Sequence, residues 1–233
     1  MANKILEKVE YISVNGGFTR SSERIVRETA LSIVINQSHF ATAMIMPTMI
    51  KEFVIGHLFG QRVIKSVADV ASITIKDNVA EVTLTEIKNK DKGSPVIKSD
   101  LKVSREDIFD SVKAILKSEV FTETEAVHSA GLFRQGKEVI CLAEDLGRHN
   151  ALDKVIGYGL LHDIDFGQTL ATSTGRQPVE MILRCGNANI PIIATKGVPT
   201  TFAIEIARKA GLTIAGLVRG NTMTVYSHPA RIA

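Results

Sequence analysis

The strongest constraint on how this chain folds is a rhythm in its second half. Apolar runs at 138–143, 168–172, 190–195 and 212–218 alternate with helical patterns near 150–162, 178–188 and 200–210. Strand, helix, strand, helix at this spacing predicts parallel βαβ units. In an open parallel sheet the carboxyl ends of the strands line one crevice, and ligands bind there.

The first half reads differently. Residues 9–14, 29–35 and 39–46 have strand texture, and the apolar positions from Thr48 to Phe59 follow helical spacing. A hairpin is predicted over 70–85, turning at Asp77-Asn78. A helix begins at Ser104, where Asp107 stands three residues on and Ile108, Val112, Ile115 and Leu116 share a face. Between them, 88–100 is polar, charged and broken by Gly93 and Pro95, so it reads as a mobile loop or linker. The expectation is an α+β N-terminal domain over 1–103 and an α/β ligand-binding domain over 104–233.

Composition removes several function classes. The 233 residues are 45% hydrophobic and 23% charged, which excludes a disordered or collagenous chain. A net charge of +3 is too mild to argue for nucleic acid. No apolar window reaches the roughly 18 residues of a membrane span, and charges occupy the start where a signal peptide is apolar. The two cysteines, Cys141 and Cys185, form no C-x-x-C pair, so a cysteine-rich zinc site is excluded. A soluble cytoplasmic protein with reduced thiols is expected.

The strand ends hold the chemistry. After 138–143 come Glu144, Asp145, Gly147, Arg148, His149 and Asn150, then Asp153 and Lys154. The next three ends carry Ser173-Thr174-Gly175-Arg176, Lys196-Gly197-Val198-Pro199-Thr200 and Arg219-Gly220-Asn221-Thr222. Glycine admits a ligand close to the backbone, helix N-termini favour phosphate, and arginine binds phosphate oxygens in bidentate fashion. An elongated anion such as a nucleotide diphosphate suits these loops, although turns and caps use the same small residues. The run Glu144–Lys154, far denser in charge than a helix cap requires, points to an ion-pair network, substrate positioning or a raised-pKa base, with a structural salt-bridge corner as the alternative. Cys141 sits in an apolar run. Cys185 follows Arg184, which would acidify a thiol, and also fits a packing face. His128 is placed to cap or line the crevice. A hydrolase using His149 and Asp145 is a weak reading, because no Gly-x-x-x-x-Gly-Lys loop is present.

Through Glu144–Lys154 the chain resembles the FdhD/NarQ family of formate dehydrogenase accessory proteins. The resemblance runs on through Met46-Pro47, Gly56, Leu58, His128-Ser-Ala130, Thr174-Gly175-Arg176, Glu180-Met181, Pro199-Thr200, Glu205-Ile-Ala207 and Thr224–Arg231. It implies a homodimer whose C-terminal half is a cytidine-deaminase-like three-layer sandwich. It implies a sulfurtransferase that takes sulfur from a cysteine desulfurase and passes it to the molybdenum cofactor for formate dehydrogenase. The guanine dinucleotide form, Mo-bis-MGD, would be held at Leu217, Val218, Arg219, Gly220, Asn221 and Thr222. Gly175, Arg176, Asp145, Arg148, His149, Asn150, His128 and Thr200 complete the implied site. No zinc is implied, and the deaminase signature H-x-E…P-C-x-x-C is missing. The family's persulfide C-x-x-C should fall within 88–97, where this chain has Lys92-Gly93-Ser94-Pro95-Val96. Gln61-Arg62 replaces an acid-glycine pair, and Glu125 and Ala126 replace two glycines. Cys185 is then the remaining candidate sulfur carrier, and a cofactor chaperone that transfers no sulfur is the alternative.

Overall fold

The computed structural model describes residues 5–85 and 93–233. The strands are β1 (Leu6–Val14), β2 (Phe18–Val26), β3 (Thr29–Ile35), β4 (Ser38–Ile45), β5 (Val70–Lys76), β6 (Val79–Leu84), β7 (His128–Arg134), β8 (Glu138–Asp145), β9 (Thr169–Ser173), β10 (Ile192–Thr195), β11 (Thr213–Arg219) and β12 (Thr222–Ser227). The helices are α1 (Ile50–Gly60), α2 (Arg105–Ile115), α3 (Glu119–Thr124), α4 (Arg148–Leu161), α5 (Val179–Asn187) and α6 (Thr201–Ala210). No helix among the described residues is long and apolar enough to cross a membrane.

The C-terminal sheet has the order β12-β11-β10-β9-β7-β8. It is mixed, which corrects the expectation of an all-parallel sheet. β9, β10 and β11 pair in parallel, but β7 lies antiparallel between β8 and β9, and β12 pairs antiparallel with β11. Because β7 reverses between them, β8 still points the same way as β9. The four predicted strands therefore do end at one edge, although β8 and β9 are not neighbours.

Alternation along the strands builds two cores. Leu170, Ile192, Ala194 and Ala215 pack with Ile108, Val112 and Ile115 of α2. Ala171, Ile193 and Ile214 pack on the other face with Leu152, Ile156, Met181, Ile182 and Ala207 of α4, α5 and α6. The sheet is thus a middle layer between α2 and three helices.

The N-terminal half forms a sheet of order β4-β3-β6-β5, with β3 and β6 parallel and β5–β6 the predicted hairpin. Asp77 and Asn78 both have positive φ, as a two-residue hairpin turn requires. Helix α1 carries Phe53, Val54 and Leu58 into the same core as α4, so apolar packing is continuous across residue 103. β1 and β2 form a separate, largely exposed hairpin.

Of the predicted 88–100 loop, residues 88–92 lie outside the described residues. Residues 93–100 have no regular secondary structure and lie against the domain. Ile97 N donates to Ala210 O at 2.7 Å, and Ser99 Oγ donates to Gly167 O at 2.6 Å.

Candidate functional site

The loops at the carboxyl edge are stitched together. Thr195 Oγ1 donates to Gly175 O at 2.6 Å, and Gln177 N donates to Val198 O at 2.9 Å. Leu217 N donates to Gly197 O at 2.8 Å, which joins the loop after β11 to the one after β10. A Cβ on Gly197 would come within 2.8 Å of Gly175 O, so this approach needs glycine. Leu217 has a φ of 52°, at an irregularity in the β11–β12 pairing. A leucine held there is backbone strain maintained by its surroundings, a feature that concentrates at ligand sites.

A crevice of about 250 Å³ opens at this edge. His128, Ser129, Thr174, Leu146 and Lys196 line its sheet side, and the end of α2 with α3 supplies an apolar wall. His128 begins β7, whose reversed direction brings its amino end opposite Asp145. Its Nδ1 lies 3.1 Å from Thr174 Oγ1. Arg148 lies against Gly175, where an added Cβ would come within 2.6 Å of Arg148 Cδ. Its Nε and His149 Nε2 are buried without hydrogen-bond partners, which leaves polar groups unsatisfied at the start of α4.

Burial and then the Arg148 charge hold His128 below its ordinary pKa. Burial, Arg184 and Arg148 do the same to His149, against smaller opposing effects of Asp153 and Glu180. Neither is a raised-pKa base, and both imidazoles are neutral at pH 7. Their pH effect has a definite sign. The unfolded chain takes up these protons below about pH 6.5, whereas the folded chain resists them. Stability should be full above pH 6.5 and fall as acid carries the protein down toward the lowered native values. Thermal melts at pH 7.5 and 5.5 should show this fall reduced in His128→Asn/His149→Asn; an unchanged difference would refute the assignment.

The remaining charges of Glu144–Lys154 look inward. Asp145 and Lys154 are wholly buried and 2.7 Å apart. Asp145 also accepts from Met46 N at 3.1 Å and Asn150 Nδ2 at 2.9 Å, and Asn150 Nδ2 reaches Met44 O at 2.8 Å. Lys154 Nζ donates to Met46 O at 3.1 Å and Glu144 O at 2.9 Å. Asp153 accepts Arg184 Nε at 2.6 Å, and its other oxygen lies 3.2 Å from His57 Nδ1. Asp145 is therefore committed to tying the β4–α1 connection onto α4, and the geometry gives a hydrolytic base at this position no support.

The other predicted residues divide clearly. Arg176, Thr200, Arg219, Gly220, Asn221 and Thr222 are exposed on the edge loops, and Thr200 also caps α6 by accepting from Ala203 N at 3.3 Å. Gly175 is buried in the stitching, and Val218 turns into the α2 core at 2% exposure. Cys185 is fully buried and Cys141 nearly so. Burial pushes both thiols up to about 12, against a small lowering of Cys185 by Arg184 and a further rise of Cys141 from Glu52. Neither offers a surface thiolate. Sequence reasoning missed the α2–α3 wall and left Lys196 among the loop cations; only the strand-end position of Lys196 pointed to it.

The FdhD/NarQ family model matches residues 26–95 and 84–233. A sulfur carrier protein FdhD from Sulfolobus acidocaldarius is 36% identical, over 97% of this chain and 98% of its own length. The Bacillus subtilis protein of the same description is 29% identical over 93% of each. A crystal structure described as that of a formate dehydrogenase accessory protein, from Desulfotalea psychrophila, superposes with a TM-score of 0.87 at 27% identity, covering 98% of this chain and all of that one.

Proposed function

Because the chain belongs to the FdhD/NarQ family, we propose that it serves formate dehydrogenase maturation by binding the guanine dinucleotide molybdenum cofactor at the carboxyl edge of its C-terminal sheet. The observation that carries this reading is the crevice bounded by His128, Thr174 and Lys196, with Arg148 and its unpartnered Nε against Gly175 beside it. The cofactor is cargo, and the residues fit an anion of its kind. Lys196, Arg176 and Arg219 offer charge to a diphosphate, and neutral His128 and His149 offer hydrogen bonds without adding charge. The volume suits one portion of so large a ligand, with the exposed 219–222 turn as a further contact surface. The helix–sheet–helix layering accords with the cytidine-deaminase-like sandwich that the resemblance implies. A homodimer and a cytoplasmic location belong to the same reading.

The sulfur step needs separate treatment. Transfer of sulfur as a persulfide requires an accessible thiolate, and this chain has two buried thiols and no C-x-x-C. This favours a cofactor-holding chaperone, with any sulfuration supplied by a cysteine desulfurase acting on the bound cargo.

Calorimetric titration of guanosine diphosphate into the protein should show binding, weakened about tenfold by Arg219→Ala through loss of one charge-assisted contact. Absence of heat from the unsubstituted protein would overturn the reading. Intact mass after incubation with a desulfurase and cysteine should show no added sulfur; a persulfide on Cys185 or Cys141 would restore direct transfer.

A further inference from the structure

A second cleft, of about 540 Å³, lies away from the carboxyl edge. It is walled by the turn after α1, the C-terminal end of α5 and residues 93–98. Phe59, Ile64, Pro95 and Val96 make its apolar part. Arg62, Lys65 and Lys98 bring three cations to it, and no carboxylate is among its described lining residues.

The walls are fixed rather than loose. Lys98 N donates to Asn189 Oδ1 at 2.7 Å, and Asn189 Nδ2 donates back to Lys98 O at 3.0 Å. Pro95 lies so close to α5 that a Cβ on Gly186 would come within 2.7 Å of its ring. Arg62 has a φ of 58°, a left-handed conformation that a long side chain rarely adopts. Its guanidinium donates to Asn187 Oδ1 at 2.8 Å, while Asn187 Nδ2 is buried with no partner. The left-handed φ belongs to the C-cap of α1, where Arg62 N donates to Phe59 O at 2.9 Å and Val63 N to Leu58 O at 2.8 Å, so the ligand-side signal on this wall is the unanswered amide donor among three cations. Cations near helix C-termini also answer the helix dipole. Arg62, however, bonds a side-chain amide rather than a terminal carbonyl, and the last turn of α5 already carries Arg184.

We propose that this cleft binds a small organic dianion, with phosphate or carboxylate oxygens on Arg62, Lys98 and the Asn187 amide and an apolar body against Phe59 and Ile64. The site is independent of the carboxyl-edge crevice. Two probes that share a benzene ring, phenyl phosphate and phthalate, supply such oxygens on such a body.

Titration of either probe into the 15N-labelled full chain should shift the Asn187 side-chain amide resonance and saturate. The probe that does so at lower concentration identifies phosphate or carboxylate as the preferred head, and equal response assigns recognition to charge alone. Arg62→Ala should weaken binding about tenfold. Exposed Lys65→Ala/Lys98→Ala should also weaken it, and carries the test if Arg62→Ala does not fold. Arg219→Ala should leave the shift unchanged, so failure here is separable from failure at the carboxyl edge. Absence of a saturating shift with both probes, retention of affinity without the lysines, or loss of the shift in Arg219→Ala would each overturn the proposal.

Discussion

Lys154→Met is expected to cost about 3–5 kcal/mol of stability, the loss typical of breaking one side of a buried ion pair. Lys154 and Asp145 are both at zero exposure, 2.7 Å apart, and every other contact of the ammonium is to protein oxygen. Methionine fills a similar volume but leaves the Asp145 carboxylate enclosed without its counter-ion. Burial nonetheless pulls the Lys154 pKa down more strongly than Asp145 and its neighbours raise it. Burying two charges sets desolvation against their attraction, so stranding one partner costs more than removing both. The consequence is a pattern rather than a single number: Asp145→Leu/Lys154→Met should cost less than Lys154→Met alone. Urea unfolding of the two proteins measures it, and a double variant less stable than the single would show the pair to be strongly favourable in itself.

The same pair shows why part of the site was legible and part was not. Dense charge over Glu144–Lys154 marked the corner correctly, but the partners that give each charge its role are distant in sequence. Asp153 meets Arg184, 31 residues on, and His57, 96 residues back. Periodicity found β9 to β11 because parallel strands covered on both faces are continuous apolar runs, and it found β8, an antiparallel edge strand of alternating exposure, through its apolar stretch Val139–Ala143. It missed β7, whose His-Ser-Ala-Gly start lacks β-branched residues because small side chains are needed under α2: a Cβ on Gly131 would come within 2.9 Å of Ile115. It missed β2 for the opposite reason, since a strand exposed on both faces has no apolar side to alternate. The cap at Ser104 was readable because a hydroxyl answering the N–H three residues on is a local event. The apolar wall of the crevice was not, because α3 has only six residues and no periodicity to detect.

Gly157→Ala sets two effects of opposite sign against each other. In a helix interior the change from glycine favours the helix by about 1 kcal/mol. At this position the new Cβ would lie 1.8 Å from Glu52 O and 2.8 Å from Gly56 N, inside the 3.0 Å that Cβ atoms essentially never breach. Both obstacles are backbone, so no side chain can swing aside, and α1 and α4 must separate along a contact that Phe53, Val54 and Leu152 fill. Overpacking of this kind costs about 3 kcal/mol or more, so the net expectation is a loss of about 2 kcal/mol or more. Gly56→Ala, whose Cβ would meet Asp153 O at 1.8 Å from the other side, should behave alike. Gly17→Ala, with nothing within 4 Å, should be near neutral. The effect should also reach the crevice, because α4 begins at Arg148 and His149: displacing the helix moves the residues that flank Gly175 and the edge loops. Gly157→Ala should therefore weaken guanosine diphosphate binding as well as lower the urea midpoint, whereas Gly17→Ala should change neither. A Gly157→Ala protein of unaltered midpoint would mean that the two helices do not cross at these glycines.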